Sequence, residues 1–220
     1  MTARHFSMRE RGFMLGVPAA WAALLLFHPM GDQREFFPTV TGDVGAWLAV
    51  HVGTMLLIPA LGFVVLMLLR DLESRAAHVA RIGVGAYVLF YTTWEVLVGI
   101  GTGILVNEVN SLTGEAAVAG QALVETYNSS DLLIVFLIAG GLGLIVGLVG
   151  AGKALVDEAG APRAVFALLA IAAFPIGFHE PPLGPIGLAL FAGAVHLVTR
   201  STPETKAVPA SAGQKNLQRT

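Results

Sequence analysis

The sequence predicts an all-α integral membrane protein, a single bundle of six transmembrane helices whose last two form a short hairpin broken by prolines. Three observations lead to this fold class. The 220-residue chain is 55% hydrophobic and only 13% charged, whereas a soluble domain carries about a quarter charged residues. Its apolar runs are long enough to cross a hydrocarbon core of about 30 Å as helices. Its basic residues, with one exception, fall on one side of the resulting topology.

The ends of the apolar runs define the spans. The first run ends at His28-Pro29 without a small-x-small cleavage pattern, so we expect a retained helix rather than a removed signal peptide. Pro29 also disfavours helix at His28. Residues 1–11 precede this span, and the polar tail 201–220 is expected to be disordered. The six predicted spans cover residues 12–28, 44–69, 81–106, 131–152, 163–178 and 183–199.

The last two spans come from one apolar stretch, residues 164–199, which is too long for one helix and barely long enough for two. Pro181 and Pro182 interrupt it and favour a stop and a restart. We interpret the stretch as two short spans joined by a tight turn, with a re-entrant hairpin as the alternative. Spans this short would sink the turn below the membrane surface and bring His179 towards His51.

Topology follows from the basic residues. In the six-span arrangement only Arg34 lies on one side, and the other twelve share the opposite side. The positive-inside rule makes that side cytoplasmic, so we expect an inner-membrane protein with both termini in the cytoplasm. The twelve are Arg4, Arg9, Arg11, Arg70, Arg75, Arg81, Lys153, Arg163, Arg200, Lys206, Lys215 and Arg219.

Small residues mark the helix faces that pack closely. Gly99 and Gly103 form a small-xxx-small pair, and such pairs let helices approach in lipid. The fourth span carries Gly140, Gly143, Gly147 and Gly150. These faces predict tight packing within the bundle, and they are also where a second copy or another membrane protein would bind. In the longest loop, Thr113 is a candidate cap for a short helix lying on the membrane surface.

Several chemistries find no support in the sequence. The chain has no cysteine, which excludes thiolate metal sites, iron–sulfur clusters and thiol nucleophiles. Serines and threonines lack an acid–base partner at useful spacing, and the glycines lie inside predicted helices rather than in phosphate-binding turns. The basic residues form a rim for anionic lipid, not a nucleic-acid surface. The sequence therefore favours a protein that is not an enzyme, with the lipid bilayer as its first partner.

Glu95 is the carboxylate that the sequence places deepest in the bilayer, near the middle of the third span. A charged carboxylate there costs roughly 2.5–3.5 kcal/mol on insertion scales, so we expect Glu95 to be protonated or paired. Tyr91 lies one turn before it on the same face. Residues of this kind at this depth usually serve function, although a neutral acid bound to a neighbouring helix is the structural alternative.

Three histidines fall on the outer half of the membrane, namely His28, His51 and His179, with Glu180 at the same level. Imidazole and carboxylate groups are the ligands of zinc and copper sites, and two facing histidines are also able to ligate haem. No spacing here is a metal motif, because each ligand belongs to a different helix. Glu95 lies about 6 Å of helix rise deeper than His51 and would join such a site from below.

The motifs His28-Pro29, Trp47…His51, Trp94-Glu95…Gly99-x-Gly101 and Pro181-Pro182-Leu183-Gly184-Pro185 together resemble those of multi-pass membrane proteins from high-GC bacteria such as actinobacteria. The resemblance covers most of the spans. It implies the topology and no activity.

Three functional hypotheses remain from the sequence. The first is binding or transport of a small solute or ion through an outward-facing polar cavity lined by His28, His51, Glu95 and His179. The second is a membrane-embedded haem or transition-metal protein that uses the three outer histidines. The third is a non-catalytic scaffold or accessory subunit that binds partners through its small-residue faces.

Overall fold

The computed structural model describes residues 6–31 and 35–200, and within these ranges every regular element is a helix. The prediction of an all-α chain is therefore confirmed. Arg34 and the tail 201–220 lie outside the described residues. The helices are α1 (Met8–Leu25), α2 (Phe36–Thr41), α3 (Val44–Leu69), α4 (Arg75–Val109), α5 (Gly114–Asn128), α6 (Asp131–Asp157), α7 (Arg163–Phe178) and α8 (Leu183–Arg200).

Four helical stretches of the described chain are long and apolar enough to cross a membrane: α3, α4, the stretch Gly114–Asp157 that contains α5 and α6, and α8. Helix α7 is apolar but has only 16 residues, and α1 carries Arg9, Glu10 and Arg11 near its start. The structure thus confirms a membrane-type helical protein. The count of six spans stays a prediction.

Two helices continue beyond the predicted spans at the charged end of the bundle. Helix α4 begins at Arg75, where the side chain of Ser74 accepts a hydrogen bond from the Ala77 amide. Helix α6 continues to Asp157, which pairs with Lys153 at 2.7 Å. The apolar run measures only the part of a helix that lies in lipid, so the polar turns at these helix ends were missed.

The glycine-rich face of α6 packs directly on the backbone of α4. A Cβ atom added at Gly143 would lie 2.5 Å from the backbone nitrogen of Tyr87, and one added at Gly140 would lie 2.8 Å from that of Tyr91. Only glycine permits this approach. The tight packing predicted for this helix is therefore present, along its contact with α4.

A short helix and a longer one cover one end of the bundle. Helix α2, which the sequence reading treated as a polar loop, is held by α5: the amides of Phe36 and Phe37 donate to the Glu125 carboxylate at 3.1 and 2.8 Å. Helix α5 begins after Thr113 as predicted, although the Thr113 side chain makes no capping hydrogen bond. Its position on a membrane surface stays a prediction.

The bundle has two chemically different ends. The histidine end is where α1 and α7 end and α3 and α6 begin, and it carries the three histidines singled out above. The basic end is the opposite one. The eight lysines and arginines within residues 6–31 and 35–200 all belong to the basic end, which agrees with the charge asymmetry read from the sequence: Arg9, Arg11, Arg70, Arg75, Arg81, Lys153, Arg163 and Arg200.

Candidate metal centre

Three histidines from three distant parts of the chain converge at the histidine end. His28 follows α1, His51 lies in α3 and His179 ends α7. One ring nitrogen of each lies within 4.8 Å of the others, and all three residues are buried. Their ring centroids are 5.0 Å (His28–His51), 5.6 Å (His28–His179) and 6.1 Å (His51–His179) apart. The fold therefore gathers the three residues proposed as outer metal ligands.

His51 is held in place by α4. Gly99 lies against its ring, since a Cβ atom at that position would be 2.2 Å from the His51 Cδ2 atom. The Trp47 indole stacks on the other side, with ring centroids 4.1 Å apart, and its Nε1–H donates to the Gly99 carbonyl at 2.6 Å. The small residue predicted to allow helix packing thus also makes room for a functional side chain.

His179 reaches the cluster because the chain reverses there. It occupies the left-handed backbone region with φ at 32°, at the end of α7. Gly184, in the first turn of α8, packs directly on it: an added Cβ would lie 2.6 Å from the His179 carbonyl. The turn before α8 therefore points His179 inwards, towards His28 and His51, while the two-span hairpin itself stays a prediction.

Each histidine has its Nδ1 atom engaged by a hydrogen bond. His28 Nδ1 bonds to the Pro29 carbonyl at 2.8 Å, and His51 Nδ1 to the Trp47 carbonyl at 2.7 Å. A carbonyl only accepts, so both nitrogens carry the proton. In these two rings Nε2 is the nitrogen left with a free lone pair.

Tyr91 fixes the third ring in the same way. Its hydroxyl donates to the Gly177 carbonyl at 2.5 Å and lies 3.0 Å from His179 Nδ1. Because the hydroxyl proton is used at Gly177, its oxygen accepts from His179 Nδ1–H. Such second partners set the tautomer and the orientation of metal-binding histidines. Tyr91 was predicted as a ligand-binding residue, and its hydroxyl contacts also give it a role in positioning His179.

Glu95 lies beneath the histidines. Its two carboxylate oxygens are 4.0 Å from His51 Nε2 and 3.9 Å from His179 Nε2, too far for hydrogen bonds. The side chain is fully buried. Helix α4 widens to π-helical turns on both sides of this residue, over Tyr87–Tyr91 and Glu95–Gly101, and such turns recur at functional sites. The residue thus meets the cluster from below, as its depth in the sequence predicted.

Within the cluster, hydrogen-bond acceptors on Glu95 face hydrogen-bond acceptors on the histidines. Neither oxygen of Glu95 has a hydrogen-bond partner in the described part of the chain, and the Nε2 atoms of His51 and His179 that face it carry lone pairs. A buried polar group without a partner is rare and calls for an explanation. Converging lone pairs repel one another unless a proton or a metal cation lies between them. The side chains are thus arranged to surround a positive charge.

The distances suit a metal ion. Because the three nitrogens lie within 4.8 Å of one another, a point between them lies at most about 2.8 Å from each, and small side-chain rotations would shorten this to the Zn–N bond of about 2.0–2.1 Å. The 3.9 and 4.0 Å separations from Glu95 are slightly longer than the roughly 3.4 Å between two ligands of a tetrahedral zinc ion, and the same small rotations would close this difference. A haem fits poorly, because the three rings are mutually in contact and leave no gap for a macrocycle.

A cavity of about 380 Å³ opens onto the cluster, a size typical of small-molecule sites. The three histidines and Tyr91 form part of its wall. Glu180, the last of the predicted site residues, is half-buried at its rim and is not one of the converging ligands. Trp94 also lines the cavity and was not singled out as a site residue, since a tryptophan in an apolar helix looks like core.

Comparisons with protein families, with curated proteins and with solved structures found no match for this chain.

Proposed function

We propose that this protein is a membrane-embedded metal-binding protein that holds one divalent first-row transition ion, of which Zn²⁺ is the best match. The ligands are His28, His51, His179 and Glu95. The observation that carries the proposal is the convergence of histidine lone pairs on a buried carboxylate that has no hydrogen-bond partner among the described residues. Neutral imidazole and carboxylate are the ligand types that zinc and copper bind, and the oriented Nδ1–H groups are the second shell that such sites use.

The ion would be a centre that binds a further ligand rather than a purely structural one. Four protein ligands fill a tetrahedral zinc site, so a further ligand would enter as a fifth, an expansion that zinc sites with a reactive ligand undergo. The cavity in front of the cluster provides room for such a ligand. A bound ion polarises an oxygen placed against it, so the ligand we expect carries a coordinating oxygen.

The transport hypothesis receives less support than ion binding. Conduction through the bundle requires a path from Glu95 to the basic end. That part of the interior is filled by Tyr87, Ile58 and Leu61, each at most 1% exposed. A resident ion needs no such path, and the same lone-pair cluster supports it directly.

The test is the metal stoichiometry of purified protein, stripped with a chelator and titrated with Zn²⁺. We expect one high-affinity ion for the natural sequence and none for His179→Ala. The matched control is His78→Ala, which removes an exposed histidine at the basic end whose Nδ1 lies 3.0 Å from the Ser74 carbonyl. Equal binding by His179→Ala and His78→Ala would overturn the proposal.

We also propose the finer topology: six spans in the inner membrane, both termini in the cytoplasm, and the metal centre near the outer surface. The clustering of described basic residues at one end supports this orientation. Reporter fusions after Gly160 and after Thr220 are expected to report the cytoplasm, and a fusion after Ser129 the opposite side. A Thr220 fusion reporting the outside would leave an odd number of spans and contradict the hairpin.

A further inference from the structure

We propose that the cavity takes a single-chain amphiphile from the bilayer, with its oxygen-bearing head group on the metal ion and its acyl chain between α6 and α7. This inference rests on the proposed metal site and adds the class of ligand. Three observations support it: an apolar stripe on one cavity wall, lipid-facing residues that belong to that wall, and open space beside two of its glycines.

The stripe runs along α6. Leu137, Gly141 and Ile145 all line the cavity, and their spacing of four places them on one face of the helix. Eight residues of helix separate the first from the last, a rise of about 12 Å. Helix α6 begins at the histidine end, so the stripe leads from the level of the head group towards the middle of the membrane. The acyl chain of a lipid runs in the same direction, from its head group towards the middle of the membrane.

The same wall is exposed on the outside of the bundle. Ile145 of α6 and the cavity-lining residues Phe174 and Phe178 of α7 are 40%, 62% and 47% exposed. In a membrane helix these surfaces meet acyl chains rather than water. The cavity therefore reaches the lipid-facing surface beside α6 and α7, where a bilayer component could enter without passing through water.

Two glycines keep this side entrance open. A Cβ atom added at Gly141 or at Gly177 would meet nothing within 4 Å, in contrast to the neighbouring Gly140 and Gly143, which contact α4. Helix packing thus requires glycine at 140 and 143 but not at 141. Free space at a cavity-lining position is what an occupant beside the helix would use.

A small water-soluble ligand explains less of the site. Such a ligand would contact the metal ion and the polar rim near Thr39 and Glu180. The apolar stripe of α6 below them would then have no role. A 12 Å hydrophobic wall leading away from a coordinating centre matches a molecule with one polar head and one chain. Two-chain lipids would need a second such groove beside the first.

The experiment compares two hydroxamates, which coordinate Zn²⁺ through their oxygens, on zinc-loaded protein in lipid nanodiscs. Acetohydroxamate has no chain and octanohydroxamate has one that reaches along the stripe. Gly141→Phe places a ring in the path of the chain, and Gly85→Phe is the control, because Gly85 is exposed, meets nothing within 4 Å and lies away from the cavity.

We expect Gly141→Phe to weaken octanohydroxamate binding by about tenfold or more, since an aromatic ring in occupied space overpacks it, while acetohydroxamate binding changes less than about twofold on the same argument. Gly85→Phe is expected to change neither. Unchanged octanohydroxamate binding by Gly141→Phe, with acetohydroxamate still bound, would overturn the amphiphile alone. Absence of zinc and of both hydroxamates in the natural sequence would overturn the metal site and, with it, this inference.

Discussion

The basic end of the bundle and the buried cluster at the histidine end treat their carboxylates in opposite ways. At the basic end Glu10 pairs with Arg70 and closes a capping box with Ser7, and the Glu158 carboxylate accepts the amides of Glu73 and Ser74 at 2.7 and 2.9 Å. At the histidine end Glu95 is buried among histidine lone pairs without a hydrogen-bond partner in the described chain. The basic end pairs these two carboxylates within the protein, whereas the buried cluster leaves Glu95 without a hydrogen-bond partner among the described residues.

We interpret the paired carboxylates as structural and the unpaired Glu95 as functional. A paired carboxylate at a helix end joins helices and caps backbone groups, and an exposed pair contributes little, typically up to about 1 kcal/mol. A buried unpaired carboxylate destabilises the fold, so its presence indicates that something compensates for it. Each prediction below compares a change at the histidine end with a matched change elsewhere.

The largest effect is expected from Glu95→Gln. Loss of the charged ligand should weaken Zn²⁺ binding by about 100-fold or more, above the 10–100-fold seen for outer-shell changes. The metal-free variant should melt no lower than metal-free natural protein, because a glutamine amide is neutral, as the protonated acid is, and donates to the histidine Nε2 atoms. Zinc titration and melting after chelation measure both quantities. Unchanged zinc affinity would show that Glu95 is not a ligand.

Gly99→Ala is expected to have the next largest effect. The added Cβ would lie 2.2 Å from the His51 ring, so the ring must leave its place in the cluster. We expect zinc affinity to fall about 10–100-fold and the free energy of unfolding to fall by about 1–3 kcal/mol from overpacking. The control is Gly85→Ala at an exposed helix position, which should be neutral or stabilising. Equal zinc affinity and equal stability of the two variants would contradict the inference that an added Cβ at Gly99 displaces the His51 ring.

Tyr91→Phe tests the positioning of His179. The variant keeps the ring and removes the hydroxyl that accepts from His179 Nδ1. Zinc affinity should fall about tenfold through loss of this outer-shell partner, while the stoichiometry of one ion is kept. Thr93→Val, which removes an exposed hydroxyl bonded to the Leu89 carbonyl at 2.7 Å, serves as control. A complete loss of zinc with Tyr91→Phe would make the hydroxyl a ligand rather than a positioning group.

The smallest effect is expected at the basic end. Hydrogen bonds from Ser7, followed by the Arg70 guanidinium, hold the pKa of Glu10 below its usual value of 4.5. A depressed pKa stabilises the fold above the unfolded-state value and loses that contribution as the pH falls through the folded-state pKa. Glu10→Gln should therefore lower the free energy of unfolding by at most about 1 kcal/mol at pH 7. The difference from natural protein should shrink below about pH 4.5, and zinc binding at pH 7 should be unaltered.

The helices could be predicted because the ends of apolar runs and the positions of prolines mark where helices begin and end. The ranges of α3, α7 and α8 nearly coincide with the predicted spans, since polar residues or prolines stop each apolar run near the helix end. Helix α2 was missed because its six residues are held by Glu125, a contact distant in sequence. Local pattern carries no information about such a partner.

The site could be predicted as a list of residues but not as an arrangement. Depth in the membrane singled out His28, His51, His179 and Glu95, because polar side chains stand out in apolar helices. Their convergence depends on how separate helices rotate and cross, which no spacing in one sequence encodes. The contact between the Tyr91 hydroxyl and His179 Nδ1 likewise depends on how separate helices pack, so the sequence does not reveal it. The proposed metal ligands were therefore candidates from the sequence, and the fold groups them.

The most direct test of the metal centre is the X-ray absorption spectrum of the zinc-loaded protein at the zinc edge. The account predicts four light-atom neighbours at about 2.0–2.2 Å, with the outer-shell scattering of three imidazole rings, and the loss of one ring in His51→Ala. A spectrum with oxygen neighbours alone, or one identical in His51→Ala, would contradict the central claim that His28, His51 and His179 join Glu95 around a metal ion.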